Sequence, residues 1–239
     1  MTVTALQLAQ AQSNALCQVE TTRVSLQATC KYGHAPRLKP DHTIRIAMEN
    51  FNSLCVMSGN AKITAVNNMC CEYNVDILCG CKTQIDWRQV PQSRKFHNLF
   101  GAGTETRSVV ANNKNERMRP NQFGGCAMMA FNTISSEVID TGVDITGLGR
   151  WCWMLLGSGR KKTRIVMAYR PSNSGQSAGT TVKDQQARYF QALGNARSPR
   201  TIFSSNSSHS WLVGKRVIMT SFLWATSTSI STRVAWLRE

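Results

Sequence analysis

The chain has 239 residues, a formal net charge of +15 and a sequence pI of about 9.9. Hydrophobic residues make up 42% and charged residues 17%, a balance typical of a globular protein and not of a disordered one. No segment approaches the roughly 18 consecutive apolar residues of a membrane helix, and the N-terminus lacks the basic start and apolar run of a secretory signal. These features predict an intracellular protein with no membrane partner, nuclear or cytoplasmic.

The positive charge is the most informative part of the composition. Lys and Arg number 28 against 13 Asp and Glu, and no carboxylate lies between Asp184 and Glu239. Such an excess favours a polyanion, DNA or RNA, bound through phosphate contacts. An acidic protein partner or an unselected sequence gives the same excess, although no stable protein partner is identifiable.

The nine cysteines do not have the spacing of a zinc site. Cys79 and Cys81 are separated by one residue, and Cys70 and Cys71 are adjacent, whereas structural zinc sites use longer spacings and paired histidines. Free thiols in a reducing compartment are therefore predicted, with no metal among them.

The first half of the chain predicts a strand, a helix and a second strand. Residues 1–42 show no period and form a predicted N-terminal extension with little order, ending in a linker rich in Pro, Gly and charge. Alternating apolar residues then predict a strand from Thr43, and apolar residues at three- and four-residue steps predict a helix over 58–72 that ends near Asn74. A short apolar run over 75–81 is typical of a buried strand, which completes a βαβ-like opening.

The second half predicts more strands. Residues 123–132 and 135–144 are predicted to be paired strands. Two apolar runs within 150–171 surround a Gly-Ser-Gly-Arg turn and predict a hairpin. A helix is predicted over 183–193, and residues 204–239 form a divergent tail rich in Ser and Thr.

Several segments, in this order, resemble the endonuclease/exonuclease/phosphatase superfamily, and more narrowly the endonucleases of reverse-transcriptase-type mobile elements. The resemblance covers about residues 44–203. The segments that carry it are RIAMENFNSL (45–54), NVDILCGCKTQIDW (74–87), FGGCAMMAFN (123–132), TGLGRWCW (146–153), RIVMAYRPSN (164–173) and YFQALGNARSPRTIF (189–203).

The resemblance implies a layered α/β or α+β domain over 43–203, an incomplete DNase I-like two-sheet sandwich flanked by helices. In the active family, a glutamate holds Mg²⁺, which polarises the phosphate, and an aspartate–histidine pair activates water. Asn50, Asn52 and Tyr169 stand at retained catalytic positions of the family, where the asparagines supply amide groups and the tyrosine steadies the phosphate. Lys82 stands at the position of the glutamate.

These departures predict a degenerate, catalytically inactive protein that needs no cofactor. A lysine ammonium offers three donors and no acceptor, so Lys82 cannot ligate Mg²⁺. The family's Asp-x-Asn strand is expected near 216–226, where no aspartate occurs. The family's final histidine is expected beyond Glu239, so the resemblance also predicts a domain truncated at its C-terminus. One origin left open is a translated gene fragment in which residues 204–239 are out of the family's reading frame.

Two other functions stay open at this point. One is a basic nucleic-acid-binding protein without catalysis, and the other is an active Mg²⁺-dependent phosphodiesterase. The best candidates for phosphate contacts are the cations of the predicted hairpin, although a solvated turn explains them equally well: Arg160, Lys161, Lys162 and Arg164. Asn50 and Asn52 also suit a turn after a strand, Tyr169 also suits packing at a strand end, and Gly124-Gly125 suits close backbone packing.

Overall fold

The structure is a computed structural model that describes residues 39–56, 60–100, 105–115, 118, 122–158, 161–170, 181–203, 205, 217–219 and 233–238. The chain separates into two units, Met1–Pro40 and Asp41–Glu239. The predicted extension 1–42 lies almost wholly outside the described residues, as do Arg160 and most of the predicted tail. Among the described residues no helix is long and apolar enough to cross a membrane.

The described residues of the second unit contain nine strands, four α-helices with defined bounds, a 3-10 turn at Gln92–Arg94 and a further helical stretch at 199–203. The strands are β1 Thr43–Asn50, β2 Ile77–Cys81, β3 Thr106–Ala111, β4 Cys126–Phe131, β5 Val138–Val143, β6 Trp151–Ser158, β7 Lys161–Ala168, β8 Val217–Met219 and β9 Arg233–Arg238. The helices are α1 Ala61–Glu72, α2 Phe96–Phe100, α3 Asn132–Glu137 and α4 Val182–Ala192.

The βαβ opening is confirmed. β1 and β2 pair in parallel, from Ile46 opposite Ile77 to Asn50 opposite Cys81, and α1 connects them. The helix begins after Asn60, whose side-chain oxygen accepts the Lys62 backbone N–H at 2.9 Å, an N-cap that satisfies one of the unpaired donors of the first turn. It ends at Glu72, close to the predicted end.

The strands form two sheets that pack face to face. One sheet has the order β3-β4-β2-β1-β9, and the other β5-β6-β7-β8. Alternate side chains of both sheets, such as Met48, Met128, Met154 and Met167, share one buried cluster between them. Helices α1 and α2 cover the outer face of the first sheet, in a second buried cluster that includes Phe96. The predicted fold class, a layered two-sheet sandwich flanked by helices, is therefore confirmed.

The predicted pairing of 123–132 with 135–144 is wrong. β4 lies between β3 and β2 in the first sheet, whereas β5 is the edge strand of the second. The short helix α3 carries the chain from one sheet to the other. Strand propensity marks both segments correctly, but it does not specify the partner of a strand that is buried on both faces, as every residue of β4 is.

The predicted hairpin and the last predicted helix are confirmed. β6 and β7 pair from Trp151 opposite Ala168 to Ser158 opposite Lys161. α4 begins with a capping box, in which the Thr181 hydroxyl and the Asp184 carboxylate each accept the other residue's backbone N–H.

Two strands come from the stretch 204–239. β8 pairs in parallel with β7, and β9 pairs antiparallel with β1. Each sheet thus includes one strand from this stretch. That residues 204–239 lie outside the family's reading frame stays a prediction.

Candidate functional site

One edge of the sandwich carries four of the predicted site residues, Asn50, Asn52, Lys82 and Tyr169. We call it the site edge; it contains the carboxyl ends of β1, β2, β3 and β7 and the amino ends of β4 and β6. Cys81 at the end of β2 and Ala111 at the end of β3 both lie opposite Cys126 at the start of β4. The two sheets meet there, since the Cys126 thiol donates to the Arg150 carbonyl at 3.4 Å.

Asn50 and Asn52 form a tight turn at this edge. Asn50 is buried at the end of β1, and its Oδ1 accepts the Asn52 backbone N–H at 3.3 Å. Asn52 and Ser53 have φ of 40° and 82°, a conformation that asparagine tolerates better than most residues. The Lys62 ammonium donates to the carbonyls of Phe51 and Ser53, at 2.7 Å each. The geometry accounts for both asparagines as turn residues.

Lys82 and Tyr169 lie close together on the same edge. Lys82 directly follows β2 with φ of 52°, and its ammonium nitrogen is 5.8 Å from the centre of the Tyr169 ring. Because Cys81 lies opposite Asn50, Lys82 also adjoins the end of β1. The structure therefore places Asn50, Lys82 and Tyr169 on the same edge.

Tyr169 is buried, and a backbone hydrogen bond fixes its position. Its N–H donates to the Arg150 carbonyl at 2.8 Å. Burial raises the pKa of the Tyr169 hydroxyl, and the neighbouring thiols of Cys81 and Cys126 raise it further. The phenol therefore stays protonated at neutral pH and is able to donate a hydrogen bond.

Gly124 and Gly125 permit a close approach beside this cluster. Both have left-handed φ, of 83° and 85°. A Cβ on Gly125 would lie 2.5 Å from the Thr83 hydroxyl, which is buried and has no hydrogen-bond partner among the described residues. Gly125 therefore has the predicted packing role, since a larger residue there would displace Thr83.

Two ion pairs on the site edge, one buried and one partly exposed, were not predicted. Asp144 accepts from the Arg150 guanidinium at 2.8 Å, and both side chains are almost fully buried. The Arg150 guanidinium also lies 4.4 Å from the centre of the Trp151 ring. Asp86 forms the second pair with Arg88, at 2.8 and 2.7 Å. Arg150 belongs to the motif TGLGRWCW, but the sequence pattern alone does not reveal its acidic partner.

The residues of the site edge do not fit a magnesium ion. The described part of the chain contains no group of three or more His, Cys, Asp or Glu side chains that could hold a metal. The carboxylates of Asp86 and Asp144 each accept from a guanidinium. Lys82 adds an ammonium, which has no lone pair for a cation. That the protein needs no cofactor stays a prediction.

Of the described hairpin cations, Lys161 and Lys162 begin β7 at the end away from the site edge, and Arg164 lies midway along the strand. Eight paired residues separate Trp151 from the turn, which is roughly 25 Å of strand. Lys162 is exposed there, but the Arg164 guanidinium lies 4.4 Å from the centre of the Trp153 ring and packs on the outer face of the second sheet. Lys162 and Arg164, the hairpin cations with described side chains, therefore do not lie near Asn50, Lys82 and Tyr169.

No family model matches the sequence, and no curated protein matches it. Solved structures do show similarity. A 3′ phosphatase, NExo, from Neisseria is 18% identical with a TM-score of 0.41, over 74% of this chain and 56% of that one. An endonuclease/exonuclease/phosphatase family protein from Leptotrichia buccalis is 9% identical with a TM-score of 0.39, over 65% and 62%. The endonuclease domain of TRAS1, a telomere-specific non-LTR retrotransposon, is 9% identical with a TM-score of 0.36, over 74% and 57%.

The chain spans about half to three-fifths of the length of the structures that it matches. Their identities lie below 25% and their TM-scores below 0.5, a degree of similarity that assigns no role to any residue of this chain. Among them are a structure described as an endonuclease/exonuclease/phosphatase family protein and a retrotransposon endonuclease domain, the two groups that the sequence motifs resemble.

Proposed function

We propose that this chain is a catalytically inactive relative of mobile-element endonucleases. The observation that carries the proposal is the position of Lys82. It follows β2 directly and lies beside Asn50 and the Tyr169 ring, at the place where the resemblance implies the metal-binding glutamate. A cation occupies the position that the chemistry of the family requires to be an anion.

The physical consequence concerns the phosphate. In the family, Mg²⁺ supplies charge that polarises the phosphate and stabilises the leaving oxygen. Here Asn50, Lys82 and Tyr169 supply amide, ammonium and phenol groups, all of which donate hydrogen bonds to a phosphate. They hold an anion in place, but none of them is a carboxylate base that accepts a proton from water. The cluster therefore supports phosphate binding and not hydrolysis.

A second function, nucleic-acid binding, is supported by cations along the site edge. Lys82 and Lys114 lie on it, and Arg170 follows Tyr169 directly. Burial and the neighbouring Arg200 lower the pKa of Arg170, which indicates that two like charges lie close together. Because these cations lie on the same edge as the Lys82–Tyr169 cluster, we assign the phosphate contacts to this edge.

Nicking of supercoiled plasmid tests the loss of catalysis. The full chain is incubated with Mg²⁺, and in parallel the variant Lys82→Glu. We expect neither protein to nick the plasmid, because the Glu variant restores one carboxylate without restoring a base. Nicking by the unaltered chain that EDTA abolishes, and that Asn50→Ala and Tyr169→Phe also remove, contradicts the proposal.

Fluorescence anisotropy with a labelled DNA duplex at several salt concentrations tests the second function. We expect the logarithm of the affinity to fall linearly with the logarithm of the salt concentration, with a slope of about 0.9 for each phosphate neutralised. Affinity that does not change with salt removes the nucleic-acid function and leaves the proposed loss of catalysis untouched.

A further inference from the structure

Among the large hydrophobic residues on the surface of the described part of the chain, Ile145 is the most exposed, with 90% of its area accessible to solvent. It lies at the tip of the loop 144–150, which leaves β5 and enters β6 on the site edge. An isolated apolar residue on a surface is ordinary. Here, in addition, hydrogen bonds and a buried ion pair hold the loop that carries Ile145.

The loop is fixed on both sides of Ile145. The Asp144 carboxylate accepts from the Thr146 backbone N–H at 3.0 Å and from the Thr146 hydroxyl at 2.6 Å, and it pairs with the buried Arg150. From the other side, the Asn115 amide donates to the Thr146 carbonyl at 2.9 Å. The loop therefore presents Ile145 in one defined conformation.

Cations accompany this tip. The Lys114 backbone N–H donates to the Gly147 carbonyl at 2.6 Å, and the Lys114 Cβ lies 3.5 Å from the position of a Cβ on Gly147. Lys114 is exposed, and so is Arg88, whose guanidinium contacts the Lys114 carbonyl at 3.5 Å. The nearest described carboxylates, Asp86 and Asp144, are buried in their ion pairs.

A rigid apolar tip with flanking cations fits a duplex nucleic acid better than a protein surface. Proteins that enter the minor groove insert an isoleucine, leucine or similar wedge between base pairs, and adjacent lysine or arginine residues contact the phosphates. We propose that the loop 144–150 is such a wedge, and that Ile145 enters a base step of double-stranded DNA while Lys114 contacts the backbone. This proposal rests on the proposed nucleic-acid function and adds to it a preference for duplexes that bend easily.

The test uses the full chain and duplexes that contain 2-aminopurine, the fluorescence of which rises when the base loses its stacking. Binding of the unaltered protein should raise the fluorescence, most at a flexible TA step. Ile145→Ala should remove this rise and weaken duplex binding roughly tenfold, since the buried apolar contact is lost. Its salt dependence should not change. Ile145→Leu should retain both properties.

Two further variants complete the test. Ile139→Ala is the matched control, because Ile139 is also exposed, at 49%, but lies against Gly157 at the opposite end of the second sheet; it should bind as the unaltered protein does. Ile145→Lys should increase the salt slope by about one and still lose the unstacking signal. A steeper salt dependence without the unstacking signal would distinguish insertion of Ile145 from general electrostatic attraction to the DNA.

Three outcomes overturn the proposal. If Ile145→Ala binds the duplex with unchanged affinity, or if binding of the unaltered protein leaves 2-aminopurine stacked, the wedge is wrong while nucleic-acid binding stands. If Ile145→Ala alters self-association in sedimentation and not DNA affinity, the tip is a protein contact. If no salt-dependent duplex binding exists, both the wedge and the proposed nucleic-acid function fail.

Discussion

Asp144 and Arg150 carry opposite charges in the interior of the protein, and each depends on the other. Arg150 is one of the largest fully buried side chains of the described chain, and its Nη1 has no hydrogen-bond partner among the described residues. Removal of one member of a buried pair leaves the other charge without compensation. The pair also fixes the loop that carries Ile145 and the carbonyl that binds the Tyr169 N–H.

We expect Asp144→Asn to lower the free energy of unfolding by about 3–5 kcal/mol, because Arg150 then remains charged and buried. Arg88→Ala is the comparison, since the Arg88 side chain is 30% exposed and water replaces it more easily; a loss of about 1 kcal/mol is expected there. Urea denaturation measures both. Equal losses would show that the Asp144–Arg150 pair has no special role in the interior.

The buried thiols make a second prediction at this scale. The pKa of Cys70 and of Cys81 is raised to about 12 from an ordinary value of 9.0, chiefly by burial, with smaller contributions from Cys71 at Cys70 and from Glu49 at both thiols. Lys82 acts in the opposite direction on Cys81. Between pH 9 and pH 12 the unfolded chain loses these thiol protons while the folded chain keeps them, so the stability of the fold falls as pH rises through this window.

Thermal denaturation at pH 8 and pH 10 checks this prediction. The midpoint should fall at pH 10, and Cys81→Ala should fall less over the same interval because one titrating group has been removed. Cys55→Ala is the matched control, since Cys55 is exposed and lies on no strand of the buried core; this variant should leave the pH dependence unchanged. A midpoint that is the same at both pH values contradicts the assignment of raised pKa values.

The sequence predicts candidate site residues only where they stand next to recognisable strands. Asn50, Lys82 and Tyr169 each follow an apolar run, and strand ends that share an edge bring them together. The ion pair between Asp144 and Arg150 was not predicted, because it depends on the conformation of the loop between them. Nothing in the spacing of those two residues indicates that both side chains turn inward.

At the scale of elements, the site edge and the hairpin make different predictions for DNA binding. Replacing Lys82 and Lys114 together with alanine should lower the salt slope by about two, since each contacts one phosphate in the proposed complex. Replacing all four hairpin cations at 160–164 should lower the slope by about three to four if the duplex lies on the hairpin, as the sequence alone predicts, and by nothing if it lies on the site edge. We expect the second result.

Local sequence patterns are sufficient to predict some of the strands and helices and not others. The parallel pair β1 and β2 with α1, the hairpin of β6 and β7, and helix α4 all follow from hydrophobic periods and turn residues close together in sequence. The separation of β4 from β5 does not, because the choice of sheet is made by contacts with distant strands. β8 has three residues, too few for a period to be visible.

For the whole molecule, the division of the chain after Pro40 makes a direct prediction. A chain that begins at Asp41 should unfold at the same urea concentration as the full chain, because the core lies in the sandwich. Circular dichroism through a urea titration measures this midpoint. A large shift to lower urea would show that residues 1–40 contribute to the stability of the sandwich.

The pairing of β1 with β9 joins the beginning of the sandwich to its last described strand, with Thr43 opposite Arg238. During synthesis on the ribosome, β1 emerges long before β9, so its outer edge stays open while most of the chain is made. Open strand edges invite pairing with other chains, and closure of so long a connection is slow. The nascent chain therefore exposes the edge of β1 to pairing with other chains until β9 has been made.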